Sequence, residues 1–168
     1  MKIKNMKILL FLFLTFSLMF TSCDESDKND GIDFLENSGT KAEKFAGDWY
    51  VVFQLDGETL TNPAEIHTFN TASNIKNEFW IQDFAVWGFQ IKAQGKDDLT
   101  FGSIDGTDIS EYGENGTITN GKIMIDAAKS KTGNVTDSIY MEVVFESDPG
   151  ETYVIAGHKR TRWPEDDY

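Results

Sequence analysis

Short runs of alternating apolar and polar residues, separated by turn residues, fill the chain from Phe45 onward. In the first run, DWYVVFQL, the residues Trp49, Val51 and Phe53 share one parity. Side chains two positions apart lie on the same face of a β-strand, so this pattern is typical of a strand with one buried face. Similar runs follow in EIHTFNTA, EFWIQDF, GFQIKAQ, DLTFGSI, GTITNGKIMI, SIYMEVVFES and TYVIAGHKR.

The spacing of these runs predicts an all-β domain of about eight or nine antiparallel strands, arranged as a sandwich or a barrel. No convincing helical stripe of apolar residues longer than two turns interrupts them. The clearest turn signal is Asn120–Gly121, because both residue types accept the positive φ angles of a type I′ turn. We therefore expect a hairpin at this dipeptide.

The first 23 residues follow a different pattern. A basic segment, MKIKNMK, precedes the apolar run Ile8–Phe20, which is too short to span a membrane and is typical of a signal peptide. Small residues then lead to Cys23, the single cysteine of the chain. This order resembles the lipobox of bacterial lipoproteins, so we expect residues 1–22 to be removed and Cys23 to carry lipid. Phe20 is one departure from the lipobox pattern, because an aliphatic residue is usual at that position.

Residues 24–44 are polar, acidic and aperiodic, which is typical of a flexible tether. We therefore divide the chain into a signal peptide at 1–22, a lipidated cysteine with its tether at 23–44, and a β-domain at 45–168. The whole chain has a formal net charge of −13. Nucleic acid is not an expected partner, because binding phosphates requires a basic surface.

The residues Gly47 and Trp49 in AGDWYVV resemble the G-x-W signature of lipocalins. In that superfamily the tryptophan plugs the closed end of an up-and-down barrel, and a basic side chain from the last strand packs over it. The resemblance implies the same closure here. Lys159, Arg160 or Arg162 could supply the cation, and we expect truncation of Arg160 or Arg162 to lower the melting temperature.

A longer resemblance covers the domain from about Phe45 to Tyr168. The segments GDWYV, HTFNTA, FWIQDF, GTITNGKI, DSIYMEVVFESDP and GHKRTRWPED occur in an order that is similar to a family of Bacteroidetes lipoproteins called lipid-binding putative hydrolase. The resemblance implies a lipocalin-like barrel, lipid binding and hydrolysis. It also implies a lipid anchor in the bacterial outer membrane, on the periplasmic or cell-surface face. It assigns no catalytic residues.

Large apolar residues on these strands are candidates for a ligand-binding wall. They are Trp49, Phe53, Phe79, Trp80, Ile81, Phe89 and Ile91. An eight-stranded barrel has just enough interior to be filled by side chains or to hold one small ligand. Simple core packing is therefore an alternative. In another alternative, Trp80, Trp87 and Trp163 lie outside and stack on sugars.

Enzyme chemistry has weaker support in the sequence. There is no G-x-S-x-G nucleophile motif, and the candidate imidazole bases are His67 and His158. These two histidines, without a cysteine pair, do not resemble a zinc site, and no nucleotide-binding glycine motif is present. We expect no metal and no cofactor.

The favoured function is reversible binding of a small hydrophobic or lipid-like ligand by a membrane-anchored barrel. An esterase-like hydrolase acting at the barrel mouth is the first alternative. The second is an accessory protein of a glycan or nutrient uptake complex.

Overall fold

The computed structural model describes residues 39–104 and 113–168. Cys23, the predicted signal peptide and most of the predicted tether lie outside these ranges. Thr40–Tyr168 forms one compact unit, so the last residues of the predicted tether belong to it. Among the residues described, no helix is long and apolar enough to cross a membrane.

Nine strands and two 3₁₀-helices make up the described part of this unit. The strands are β1 (Gly47–Leu55), β2 (Glu58–Thr59), β3 (Ala64–Asn70), β4 (Glu78–Asp83), β5 (Phe89–Gly95), β6 (Thr100–Ser103), β7 (Gly116–Lys129), β8 (Val135–Phe145) and β9 (Tyr153–Lys159). The 3₁₀-helices are Glu43–Phe45 and Pro164–Asp166.

Antiparallel pairing joins the strands into a closed barrel. The order in the sheet is β2-β1-β3-β4-β5-β6-β7-β8-β9, and β9 also pairs with β1. The register of this last pair runs from Trp49↔Lys159 to Gln54↔Val154. Within the described ranges, β1 and β3 to β9 therefore form an eight-stranded up-and-down barrel, while β2 is an extra strand paired with the end of β1. The predicted all-β barrel is confirmed.

The barrel interior is built from one parity of each strand, as the apolar pattern predicts. On β1, Trp49, Val51 and Phe53 are buried, while the intervening side chains face outward. The same alternation buries every second residue of β8 from Ile139 to Phe145. Side chains from all sides of the barrel thus meet in a single hydrophobic core.

The predicted hairpin at Asn120–Gly121 is wrong. β7 continues through this dipeptide, and its pairing with β8 shifts register between Thr119 and Lys122. Asn120 has a φ of +49° and so adopts the left-handed conformation that its residue type accepts, whereas Gly121 does not have the positive φ that a type I′ turn also requires. Asn120 alone is therefore left-handed. It uses that conformation to make a β-bulge, which bends the strand without reversing it.

The barrel has two distinct ends. At one end, which we call the Phe45 end, β1 begins at Gly47 and β9 finishes at Lys159. There the Phe45 ring, from the first 3₁₀-helix, stacks on Phe79 with centroids 4.8 Å apart. At the opposite end, which we call the Trp87 end, β4 is followed by the loop that carries Trp87.

Candidate functional site

Six of the seven predicted ligand-binding side chains meet inside the barrel. Trp80 is the exception, because it lies on the opposite face of β4 from Phe79 and Ile81. The ammonium group of Lys92 lies 4.8 Å from the centroid of the Trp80 ring on this outer face. Trp80 therefore does not line the interior with the other six: Trp49, Phe53, Phe79, Ile81, Phe89 and Ile91.

The interior is filled by these side chains in the structure. A cavity large enough for a water molecule would leave accessible area on the side chains around it. Trp49, Phe53, Phe79, Ile81 and Phe89 each have 0% of their area accessible. The barrel thus resembles a packed core in this state, and a ligand has to displace a side chain in order to enter.

Trp87 is the side chain best placed to be displaced. Its indole covers the interior at the Trp87 end, with ring centroids 5.2 Å from Phe53, 5.0 Å from Phe145 and 4.6 Å from Tyr153. Trp87 is nevertheless 38% exposed. It belongs to the β4–β5 loop and not to a strand, so it can move without breaking the barrel wall. Exposed Phe84 belongs to the same loop.

A buried carboxylate holds the β4–β5 loop in shape. Asp83, at the end of β4, is fully buried and accepts hydrogen bonds from four successive backbone N–H groups. Its Oδ1 is 2.8 Å from the nitrogen of Ala85 and 3.1 Å from that of Val86; its Oδ2 is 2.8 Å from that of Trp87 and 3.2 Å from that of Gly88. These bonds satisfy the buried carboxyl group and hold the backbone of the loop, so displacement of the indole requires rotation of the Trp87 side chain and not movement of the loop.

Tyr153 packs against the indole of Trp87. Its hydroxyl donates to Asp148 Oδ2 at 2.8 Å, which ties the start of β9 to the β8–β9 turn. This hydrogen bond, with burial as a second cause, raises the pKa of Tyr153. The phenol therefore stays neutral at physiological pH, and the ring surface beneath Trp87 carries no charge.

The Phe45 end is closed around Trp49. The indole Nε1 donates to Thr68 Oγ1 at 2.9 Å, and that hydroxyl donates to the carbonyl oxygen of Phe45 at 2.5 Å. The cation over Trp49 is Lys159, whose Nζ lies 5.5 Å from the ring centroid. Trp49 and Lys159 are cross-strand partners. This arrangement fixes the closed end.

The two arginines expected to cover Trp49 lie elsewhere. Arg160 is one residue beyond Lys159 and faces outward, where its guanidinium lies 5.6 Å from the centroid of the Tyr50 ring. Arg162, in the tail, pairs with Asp48 on the outer face. Strand alternation explains the difference, since Lys159 and Arg160 must point to opposite sides of β9.

Arg160 is the centre of an ion-pair network on the outer face of β1 and β3. It donates to both carboxylate oxygens of Asp167 at 2.8 Å and to Glu65 at 2.9 Å. Tyr50 also donates to Asp167, at 2.8 Å. The hydrogen bonds from Arg160 and then from Tyr50 lower the pKa of Asp167. Burial first, and then the bond to Asp167, raise the pKa of Tyr50.

Neither histidine is at a barrel mouth. His67 lies on the outer face of β3, where its Nδ1 is 2.9 Å from Asp48 Oδ1. His158 lies on the outer face of β9 and packs between the rings of Tyr50 and Tyr168, each with its centroid 6.0 Å away. The Asp48–His67 pair has the geometry of an oriented base, whereas His158 is enclosed.

One group of side chains has the composition of a metal site. Asp48, Glu65 and His67 offer ligand atoms that all lie within 4.8 Å of one another. Both carboxylates already pair with cations, however, since Arg160 binds Glu65 and Arg162 binds Asp48. A divalent ion would bring its charge next to two guanidinium groups, so the arrangement favours the ion pairs.

A comparison with known families assigns the chain to one of them. A family model described as lipid-binding putative hydrolase matches residues 35–164, which is most of the chain. The chain belongs to this family. Among curated proteins, no match to the chain is found. Membership in a lipid-binding family, together with the closed barrel, supports a lipid-binding function.

Sequence reasoning missed the elements that distinguish the two ends of this family member. The role of Trp87 depends on the loop geometry that Asp83 imposes, and no pattern in WIQDFAVWG indicates that one carboxylate will accept four backbone bonds. The Asp48–His67 pair depends on the register of β1 against β3, in which the two residues are direct partners. Pairing registers were not part of the sequence prediction.

Proposed function

We propose that this protein binds a small hydrophobic or lipid-like molecule at the Trp87 end of its barrel. The observation that carries the proposal is the indole of Trp87, a loop side chain that covers an apolar interior and stays partly exposed. The ligand takes the place of the indole above Phe53 and Tyr153, and family membership supports a lipid as its class. Burial of apolar surface supplies the affinity.

Replacement of Trp87 by alanine tests this proposal. Because the indole occupies the space that the ligand needs, Trp87→Ala removes the cost of displacing it and binds more tightly than the wild type. The measurement is a fluorescence titration of the purified full-length chain with N-phenylnaphthylamine, a neutral apolar probe. Trp163→Ala is the matched control, since Trp163 is 63% exposed in the tail and far from the loop in the fold.

Two results would contradict the proposal. If neither the wild type nor Trp87→Ala shows saturable binding of the probe, the barrel is a packed scaffold without this site. If Trp87→Ala folds normally but binds more weakly than Trp163→Ala, the indole is a wall of the site and is not displaced.

Hydrolysis is the second candidate, and one observation favours it. Asp48 orients the imidazole of His67, whose side chain is 37% exposed, so His67 can act as a base toward a water molecule. In the described ranges, no hydroxyl nucleophile is hydrogen-bonded to this imidazole. Ester turnover that disappears in His67→Ala but persists in His158→Ala would establish this activity, measured with a nitrophenyl ester.

The structure gives little support to a row of sugar-stacking tryptophans. Trp87 and Trp163 belong to opposite ends of the barrel, and Trp80 is covered by Lys92. The three tryptophans therefore do not form a common sugar-stacking surface that would support an accessory role in glycan or nutrient uptake.

We also propose that the protein is a lipoprotein, held at the bacterial outer membrane by lipid on Cys23. The support is the order of basic segment, apolar run and single cysteine in the sequence. Whether the protein lies on the periplasmic or the cell-surface face depends on whether it is exported across the outer membrane. Cys23→Ala protein should leave the membrane fraction on detergent partitioning, and its retention after signal cleavage would contradict the anchor.

A further inference from the structure

The connections between strands at the Trp87 end carry charges of one sign only. They comprise residues 56–63, 84–88, 104–115 and 146–152. The described residues among them include no lysine, arginine or histidine, but they include six acidic residues: Asp56, Glu58, Glu114, Glu146, Asp148 and Glu151. The segment 105–112, which joins Ile104 to Gly113, also contains no basic residue. Within the described ranges, none of the six carboxylates forms a salt bridge.

The basic residues of the described chain are concentrated toward the opposite end. Most of them lie in the connections at the Phe45 end, at the ends of the strands there, or in the tail: Lys41, Lys44, Lys76, Lys96, Lys129, Lys131, Lys159, Arg160 and Arg162. Acidic residues lie at that end too and pair with them, as in Lys76–Asp97 and Arg160–Asp167. The Trp87 end therefore keeps an excess of negative charge, and its potential attracts cations.

Glu114 brings one of these charges to the loop that carries the indole. Its backbone N–H donates to the carbonyl oxygen of Gly88 at 3.0 Å, one residue after Trp87. Its Oε1 accepts from the backbone N–H of Ser147 at 2.8 Å. Glu114 thus joins the β4–β5 loop to the β8–β9 turn, and its carboxylate is held at this junction.

Asp148 places a second charge near the indole. Its Oδ2 accepts from the Tyr153 hydroxyl, and the Tyr153 ring packs against Trp87 with centroids 4.6 Å apart. The pKa of Tyr153 is raised by this hydrogen bond first and by burial second, and the charges of Asp148 and Glu151 raise it further. The field of both carboxylates therefore reaches the ring that the indole covers.

The aromatic rings under the indole are a separate reason to expect a cation. Trp87 packs on Phe53, Phe145 and Tyr153, and the centroids of the last two rings are 5.5 Å apart. When the indole rotates away, these three rings border the opening that it leaves. The π-face of an aromatic ring attracts cations, and groups of such rings bind ammonium ligands in proteins.

From these two features we propose that the site at the Trp87 end selects amphiphiles with an ammonium head over those with an anionic head. The inference rests on the binding site proposed above and names its ligand class. The apolar chain takes the place of the indole, and the ammonium group lies at the rim near Tyr153, Glu114 and Asp148. A carboxylate or phosphate head at the same place meets like charges and no cation, which weakens its binding.

Displacement of N-phenylnaphthylamine from the purified full-length chain tests this selectivity. The titrants are dodecylammonium, dodecanol and laurate, which share a twelve-carbon chain and are used below their micelle concentrations. At low ionic strength, dodecylammonium should bind about three- to tenfold more tightly than dodecanol, and laurate about three- to tenfold more weakly. Salt at about 0.5 M should reduce both ratios, because it screens exposed charges.

Glu114→Gln and Asp148→Asn identify the carboxylates responsible. Both substitutions keep an oxygen that accepts the same hydrogen bond, and each should reduce the preference for dodecylammonium over laurate about two- to fivefold. Glu43→Gln is the matched control, because it removes the same charge from an exposed position in the 3₁₀-helix of the Phe45 end. Binding of the neutral probe itself should be unchanged in all three variants, which shows that they are folded.

Three results would overturn the inference and leave the proposed function standing, because the neutral probe still binds. The first is equal displacement by the three titrants. The second is a change of the ammonium-to-laurate ratio in Glu43→Gln as large as that in Glu114→Gln, which would assign the preference to net charge alone. The third is displacement by tetramethylammonium as effective as that by dodecylammonium, which would make the site one for free cations.

A different result would end both proposals. If N-phenylnaphthylamine binds neither to the wild type nor to Trp87→Ala, the barrel has no apolar site at this end, and the charges at its rim select nothing.

Discussion

At the scale of single residues, the closed end depends on space beside Trp49. Gly47 leaves room for the Lys159 side chain, since a Cβ at Gly47 would lie 3.0 Å from Lys159 Cε and 3.4 Å from the Trp49 ring. The G-x-W spacing therefore places a gap next to an indole, and the facing strand fills it with a cation.

Arg160 and Arg162 offer a matched test of the outer network. Arg160→Ala should destabilise the protein by about 1–2 kcal/mol, because its side chain is 26% exposed and pairs with both Asp167 and Glu65. Arg162→Ala should change stability by less than about 0.5 kcal/mol, since that side chain is 73% exposed. Urea unfolding measures both values, and equal losses would show that the network adds nothing beyond a surface ion pair.

The sequence predicted that a cation near the chain end covers Trp49, but it could not select the residue. Three cations lie within four positions, at Lys159, Arg160 and Arg162, and a shift of one residue reverses the face on which a strand side chain lies. The choice depends on the register Trp49↔Lys159. That register is set by packing across the whole barrel.

At the scale of elements, the Asn120–Gly121 bulge shows how much a local sequence pattern can predict about structure. The dipeptide reports a preference for positive φ, and both a hairpin turn and a bulge can satisfy it. The apolar residues beyond it continue to pair with β8, through Ile123↔Ile139. This continued pairing favours one long strand, and the local sequence does not contain that information.

Gly121→Ala tests the fit of this bulge against β6. The new Cβ would lie 2.3 Å from the Phe101 ring and 2.7 Å from the Phe101 carbonyl oxygen, so side chain and backbone must both shift. We expect a loss of about 1–3 kcal/mol in the free energy of unfolding. Gly150→Ala is the control, because a Cβ there meets nothing within 4 Å. If Gly121→Ala leaves the free energy of unfolding unchanged, the contact between β6 and β7 is loosely packed.

At the scale of the whole molecule, the tail and the β7–β8 loop are joined by one buried carboxylate. Asp166 Oδ1 accepts from the backbone and hydroxyl of Thr132 at 2.8 and 2.6 Å, and its Oδ2 accepts from Thr161 at 2.6 Å. Burial alone would raise the pKa of Asp166, but these hydrogen bonds outweigh it and lower the pKa. The charged form is the one that the fold stabilises.

Stability should consequently fall in acid. A carboxyl whose pKa is lowered on folding stabilises the protein above its unfolded pKa of about 4, and this contribution is lost as the pH falls below that value. Asp166→Asn should be less stable than the wild type at pH 7 and should approach it toward pH 2, measured by melting temperature. Glu165→Gln, at an exposed neighbour, is the control. Parallel curves for wild type and Asp166→Asn would contradict this coupling.

The period-2 pattern predicted the architecture well because it depends on burial, which the whole barrel shares. Trp49, Phe53, Phe79 and Ile81 lie inside as expected. The sites are harder to predict, because they depend on exceptions. Trp87 covers the core from a loop, and the barrel wall is irregular where the short strand β6 pairs with β7 beside its bulge. Neither feature follows from the repeating pattern.

The pairing of β1 with β9 also has a consequence for how the chain folds. Trp49 and Lys159 are registered partners although more than half of the chain separates them. Contacts between distant residues form slowly, because a long loop must be ordered before they are made. Until β9 arrives, β1 and β8 have unpaired edges that can associate with other chains. A nascent chain is therefore unable to complete the barrel before β9 has emerged from the ribosome, and a chaperone that covers these edges should raise the yield of refolding.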